Sequence, residues 1–327
     1  MKVIITGGSG FIGTNLTNYL YDNKIEFLNI DLVKPRLSSL DRQWVQCDIL
    51  DYEKLLKAIS NFNPDTLVHL AAETDTNPRM TLEDYDVNIR GTRNIISVVD
   101  HLGIHRVVFT STQFVHQSQR GPLHDEDFLP YTIYGESKMI NELDIRNAKL
   151  KSTWSIIRPT NVWGPWHLRY PYEFWKVLSK GLYFHPGRKP VMRSYGYVGN
   201  VVAQIIDILN STSDKVNGKV FYVGDQPIDL YDWVNGFSLL QLGAEVKVLP
   251  RFLVRLLAWA GDLFFTLRIK FPITSSRYKS MTSSNIAPME RTFQTFGLPP
   301  YSLKAGISET VEWMKLYFPD LVRISKK

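Results

Sequence analysis

Residues 6–13 read Thr-Gly-Gly-Ser-Gly-Phe-Ile-Gly. They follow an apolar run (Val3, Ile4, Ile5) and open a segment with apolar residues at helical spacing (Phe11, Ile12, Leu16, Leu20). A strand that runs through a glycine-rich turn into a helix presents backbone N–H groups and a helix N-terminus to a pyrophosphate. In this reading Gly7 allows the tight turn, Gly10 lets phosphates approach the backbone, and Gly13 lets helix and strand pack closely. The spacing fits both GxxGxxG (7, 10, 13) and GxGxxG (8, 10, 13). Phe11 and Ile12, inside the same loop, join the candidate cofactor contacts.

A second short apolar run, Glu26 to Asp31, ends in an acid 18 residues after Gly13. A carboxylate there accepts from a ribose 2′-OH and repels a 2′-phosphate, which favours NAD over NADP. Lys34 and Arg36 nearby keep NADP in view.

Along the first 160 residues, strand patterns (2–6, 26–30, 43–47, 66–70, 105–110, 153–157) alternate with helical ones (11–22, 51–60, 81–102, 134–149). Such alternation predicts an α/β fold: a Rossmann-type doubly wound parallel sheet with ligands at the carboxyl ends of its strands. Residues 1–160 are the expected NAD-binding domain. Residues 161–327 are the expected smaller, C-terminal substrate-binding lobe, with a strand at 219–223, a helix near 229–241 and some segments returning to the first domain. Segment 250–271 places Arg251, Arg255, Asp262 and Thr266 on one helical face and fills the rest with Phe, Leu and Ala. It reads as a helix packed over that lobe, with contact to a membrane surface as the alternative; its charges argue against a span.

Thirty-eight basic residues against 32 acidic ones give a net charge of +6. The basic residues are dispersed, which suits solvated surface and an anionic small molecule; nucleic acid is not an expected partner. The single cysteine, Cys47, excludes an internal disulfide or a cysteine zinc cluster, and no metal is expected. With no secretory pattern before the first strand, the expected location is the cytoplasm.

Tyr134-Gly-Glu-Ser-Lys138 places a phenol and an ammonium one helical turn apart. An ammonium beside a tyrosine favours tyrosinate and predicts a lowered pKa. Such a tyrosine can exchange a proton with an alcohol or carbonyl while hydride moves at the same carbon. Thr112, just past the strand ending Val-Val-Phe-Thr-Ser, can hold the substrate hydroxyl beside it.

These motifs, in this order, resemble those of the extended short-chain dehydrogenase/reductases, in particular the NAD-dependent epimerase/dehydratase type that modifies nucleotide sugars. The resemblance implies that Asp48 and Ile49 in Cys-Asp-Ile contact adenine. It places Leu70, Ala71 and Ala72 on the strand lining the cofactor and Asn88 in the Asn-x-x-Gly-Thr helix. Thr112, Tyr134 and Lys138 fall on the catalytic set. Asn161, in Arg-Pro-Thr-Asn-Val-Trp-Gly-Pro, would contact the sugar diphosphate, and Arg193 its phosphates. A homodimer is implied, built from helices near 88–102 and 134–149. Gly199 and Asn200 replace the family's usual acid pair.

Departures narrow the reaction. Gln113 and Phe114 stand where 4,6-dehydratases carry the acid and base of elimination. Cys47 lies in the adenine element, so the Cys/His route of the 3,5-epimerases is absent. Hydride chemistry remains: a 4-epimerase first, a ketoreductase or dehydrogenase as the alternative. The C-terminal pattern (Phe-Pro-Ile-Thr at 271–274, Arg277, Thr-Val-Glu-Trp at 310–313) also resembles 3β-hydroxysteroid dehydrogenase-like members.

Overall fold

The computed structural model describes residues 1–116, 121–169, 174–266 and 273–322. Contacts divide the chain into two compact units: Met1–Trp166 with Gly196–Asp225 and Ala287–Pro300, and His167–Tyr195 with Gln226–Ile286 and Tyr301–Lys327.

The first unit is built on seven strands: β1 (Lys2–Thr6), β2 (Glu26–Asp31), β3 (Trp44–Gln46), β4 (Thr66–His69), β5 (Arg106–Thr110), β6 (Thr153–Pro159) and β7 (Lys219–Val223). They lie in the order β7-β6-β5-β4-β1-β2-β3, every pair parallel. The strand order reverses beside β1, which opens a crevice at the strand ends.

Strand periodicity sorts the core into two layers. Val3 and Ile5 point to one face, against Leu16 and Leu20 of α1 (Phe11–Asp22) and Val201, Val202 and Ile205 of α5 (Val198–Asn210). Ile4 points to the other, with Leu55 and Ile59 of α2 (Tyr52–Phe62), Ile95, Val98 and Val99 of α3 (Asp86–Leu102) and Ile145 of α4 (Ile133–Asn147). Helix α3 starts five residues later than its periodicity suggests, because residues 83–85 form a tight 3₁₀ turn. Arg106 closes α5 by donating to the carbonyls of Ile208 and Leu209 at 2.7 and 2.6 Å.

In the second unit, residues 228–229 pair with 192–193, and 247–249 with 184–186. Helix α6 (Leu230–Leu242) packs on α10 (Leu303–Tyr317). Trp175, Trp233 and Phe237 form the aromatic centre, with Trp175 and Phe237 ring centroids 3.9 Å apart. Helix α7 (Arg251–Thr266) precedes α8 (Ser275–Thr282), while α9 (Glu290–Phe296) belongs to the first unit. Residues 267–271 of the 250–271 segment lie outside the described residues. No helix among the described residues is long and apolar enough to cross a membrane.

Candidate active site

The glycine loop shows which of its glycines serve packing and which leave room. Gly7 has φ +76°, and a Cβ there would meet the Ala71 nitrogen at 2.5 Å. A Cβ on Gly13 would run into the Gly7–Gly8 backbone, and one on Gly8 into the Asn29 amide. Gly10 differs: a Cβ there would meet only the Gly7 carbonyl, at 3.2 Å. Gly10 is also the N-cap of α1, and among the described residues no side chain caps that helix. A glycine at a helix N-terminus whose first N–H groups face outward from the turn suits a pyrophosphate, so the loop fits a dinucleotide.

Asp31, at the end of β2, accepts from the Ser9 N–H at 2.9 Å and the Val33 N–H at 3.0 Å. Arg36 donates its Nε to the Ser9 carbonyl at 3.1 Å, within electrostatic reach of Asp31. Asp48 caps its own turn through the Leu50 N–H at 2.9 Å, while Asn94 holds the Ile49 carbonyl at 2.8 Å. Leu70 continues β4 by donating to the Thr6 carbonyl, and Ala71 and Ala72 follow it.

Asn88, from the Asn-x-x-Gly-Thr helix, bridges two parts of the first unit. Its carbonyl oxygen accepts from the Glu73 N–H at 2.8 Å; its amide donates to the Glu73 carbonyl and to the Ser137 hydroxyl at 3.0 and 3.1 Å. It thereby ties the loop after β4 to helix α4.

Thr112, Tyr134 and Lys138 come together at the end of β5. Thr112 follows the strand, is buried, and hydrogen-bonds the Tyr134 hydroxyl. Thr132 caps α4 through the Gly135 N–H at 3.0 Å, which starts the helix just before Tyr134. Gly135 lies so close to the Phe114 carbonyl that any Cβ would collide with it. The Phe114 and Tyr85 rings flank Tyr134, with centroids 6.4 and 6.0 Å away. Lys138, 2% exposed, donates Nζ to the Thr110 carbonyl at 2.9 Å.

The electrostatics of this cluster reverse one expectation. The Tyr134 pKa is pushed up to about 12, chiefly by burial, although its Thr112 hydrogen bond acts downward. Lys138 does not overcome that burial. Its own pKa is brought down to about 8 by desolvation, opposed by Glu142 one turn further on. The neighbour rule that predicted a lowered tyrosine pKa omits the cost of placing phenolate in an apolar site.

Several supporting residues escaped the sequence reading. His69 links Thr6 at 2.7 Å and Thr92 at 3.1 Å, and burial lowers its pKa to about 3, so it is neutral. Glu142 is fully buried and takes two bonds from Arg158, both 2.8 Å. Its spacing of four from Lys138 and eight from Tyr134 was the available signal. Asp225 accepts from the Tyr197 N–H and the Asn200 amide at 2.8 and 2.7 Å, and burial raises its pKa to about 6.

Asn161 accepts from Gln113 Nε2 at 3.0 Å. Arg193 lies in the second unit, where one Nη donates to the Ser280 carbonyl and the buried Nε has no hydrogen-bond partner among the described residues. That unit also encloses a cavity of about 300 Å³, lined largely by apolar side chains such as Phe174, Leu182 and Trp233, with Arg277 and Tyr195 at its wall.

The chain belongs to the NAD dependent epimerase/dehydratase family, whose model matches residues 3–224. The chain is therefore an enzyme of that family. A relative from Escherichia coli O157:H7, N-acetyl-alpha-D-glucosaminyl-diphospho-ditrans,octacis-undecaprenol 4-epimerase, is 27% identical over 95% of both chains. A 3-beta-hydroxysteroid dehydrogenase of Mycolicibacterium neoaurum is 25% identical over 71% of this chain and 68% of its own. Among solved structures, the UDP-glucose 4-epimerase of Thermotoga maritima superposes with a TM-score of 0.73, covering 97% of this chain and 99% of that one at 20% identity.

Proposed function

We propose that this protein is an NAD-dependent 4-epimerase acting on a sugar carried by a diphosphate, a nucleotide sugar being the first substrate class to test. The observation that carries the reading is the buried Thr112–Tyr134–Lys138 cluster with Gln113 and Phe114, and no carboxylate, immediately after Thr112. This set can move a proton at a sugar hydroxyl but lacks the acid and base of water elimination. The full-length likeness to a 4-epimerase supports it.

The Gly7–Gly13 loop and the α1 N-terminus would hold the pyrophosphate of NAD, Asp31 the adenosine ribose, and Asp48 with Ile49 the adenine. Asp31 disfavours a 2′-phosphate. When bound, NAD supplies the hydride acceptor and, in its oxidised form, a positive charge. Tyr134 exchanges a proton with the reacting hydroxyl, which Thr112 orients. With a pKa near 12 in the protein alone, Tyr134 is the proton donor at neutral pH; cationic charge beside it brings the phenolate within reach for the reverse direction. Lys138, cationic below about pH 8, supplies part of that charge. Arg193 is proposed to meet the phosphates of the substrate, for which a guanidinium suits paired oxygens.

The test is to release and identify the small molecules retained by the purified protein, then to offer UDP-sugars and a polyprenyl-diphospho sugar. Epimer interconversion with retained NAD and no net NADH is the expected result. Stoichiometric NADH turnover would reassign the enzyme as a ketoreductase or dehydrogenase. A second reading, oxidation of a 3β-hydroxysteroid, rests on the likeness to the mycobacterial enzyme and on the apolar cavity of the second unit. Turnover of a 3β-hydroxysteroid without sugar conversion would select it.

A further inference from the structure

Helix α7 is amphipathic in the unexpected sense: its apolar arc faces outward. At 100° per residue, Trp259, Phe252, Leu263, Leu256, Leu253 and Leu257 fall on one continuous arc. Phe252, Leu256, Trp259 and Leu263 are 64, 51, 53 and 63% exposed. The stripe turned inward is narrow and small: Val254, Ala258 and Gly261. A helix that only covers a core places its bulky residues the other way round.

The border of the arc is cationic. Arg251 and Arg255 lie side by side on the wheel, and the Arg255 guanidinium sits over the Trp259 ring at 4.9 Å. Arg251 donates to the carbonyls of Pro186 and Lys189, so its charge is fixed at the helix edge beside the loop carrying Arg188 and Lys189. The acid on this helix, Asp262, falls between the two arginines in azimuth but about two turns beyond Arg255, where it accepts from the Ser275 N–H at the start of α8.

We infer that the exposed face of α7 docks on an anionic phospholipid bilayer. The helix lies in the interface plane, with Phe252, Leu256 and Leu263 in the acyl boundary and Trp259 at headgroup level. Arg251 and Arg255 meet the lipid phosphates; charge complementarity with a chain of net charge +6 favours this partner over a neutral protein surface. Helix α8, which packs on α7, lends Arg277, Ser280 and Met281 to the wall of the apolar cavity. Docking would bring that wall within about a helix diameter of the membrane, where a substrate carried on a lipid is met. The surface proposal does not depend on which reaction the enzyme performs.

The full chain is sedimented with phosphatidylglycerol-containing vesicles and with pure phosphatidylcholine vesicles. It is expected to pellet with the first, more weakly with the second, and to be released in part at roughly 0.5 M salt. Phe252→Ser/Leu256→Ser/Trp259→Ser should lower vesicle binding at least about tenfold, with unchanged circular dichroism and unchanged turnover of a water-soluble substrate. Should that variant lose its fold, Arg255→Gln, which keeps every apolar residue of the face, is expected to weaken the preference for anionic vesicles. A wild-type chain that stays in the supernatant with both vesicle types overturns the proposal. So does a wild-type dimer that the triple variant dissociates without any vesicle binding, since a second copy would then cover the face.

Discussion

Arg158 donates to both carboxylate oxygens of Glu142 at 2.8 Å, one helical turn beyond Lys138 and with both side chains almost fully buried. Arg158 also donates to the Tyr222 hydroxyl and the Asp125 carbonyl, so its guanidinium joins α4 to β6, β7 and the 121–127 loop. Glu142 draws the Lys138 pKa upward from where burial alone would leave it.

Removing one member of this pair leaves a charge stranded in the core. Glu142→Gln should therefore lower unfolding free energy by about 3–5 kcal/mol. The double variant Glu142→Leu/Arg158→Met should lose less than the single one. Urea unfolding at constant slope gives both values; a double variant no more stable than Glu142→Gln would count against a charge-stranding origin.

Lys138 carries a stability penalty with a definite pH sign. Its folded pKa, near 8, lies below its ordinary 10.5. Between the two values the unfolded chain binds more protons, so stability rises with pH across that window and the penalty is complete below about pH 8. Lys138→Met should raise stability at pH 7 by on the order of 1–3 kcal/mol, lose the gain above pH 10, and abolish turnover. Thermal unfolding curves that run parallel for both proteins across this range would contradict the sign.

The loop glycines separate folding from ligand binding. Gly7→Ala forces a side chain into φ +76° and against Ala71, so destabilisation by more than about 1 kcal/mol is expected. Gly10→Ala meets the Gly7 carbonyl at 3.2 Å, a tight contact that a small backbone shift relieves, so it should destabilise less than Gly7→Ala, while its methyl occupies the space proposed for the pyrophosphate. Calorimetric titration with NAD should show the Gly10 variant stable but weakened in binding. Equal loss of stability in the two variants would contradict that assignment.

Tyr134→Phe removes one hydroxyl from a site whose walls stay in place. The rate should fall by about 10²–10⁴ while NAD affinity changes little. Turnover at the wild-type rate would exclude Tyr134 as the acid–base group.

The parallel sheet was legible because each strand is a short apolar run bounded by turn residues, and each crossover helix repeats near 3.6. The Thr112–Tyr134–Lys138 set was legible because its members lie at a strand end and one helical turn apart. What stayed hidden depends on distant pairing. The Asp225–Asn200 bond joins residues 25 apart, and the Arg193–Ser280 bond residues 87 apart. The Tyr134 pKa was misread for a related reason: a local ammonium can be read from spacing, whereas burial comes from Tyr85 and Phe114, which other parts of the chain deliver. The outward turn of α7 was hidden likewise, since a helical wheel shows two faces without saying which one the rest of the chain covers.

Gly135 carries a consequence of its own. The backbone at the first turn of α4 rests directly on the Phe114 carbonyl, with no side chain between them. A single methyl at this position would act as a wedge, tilting the helix and opening the gap between Tyr134 and Thr112. Proton exchange is acutely sensitive to that gap, while the sheet below is indifferent to it. The working tolerance of the proposed catalytic pair is thus set by the absence of one carbon atom and is tighter than what the sheet below requires.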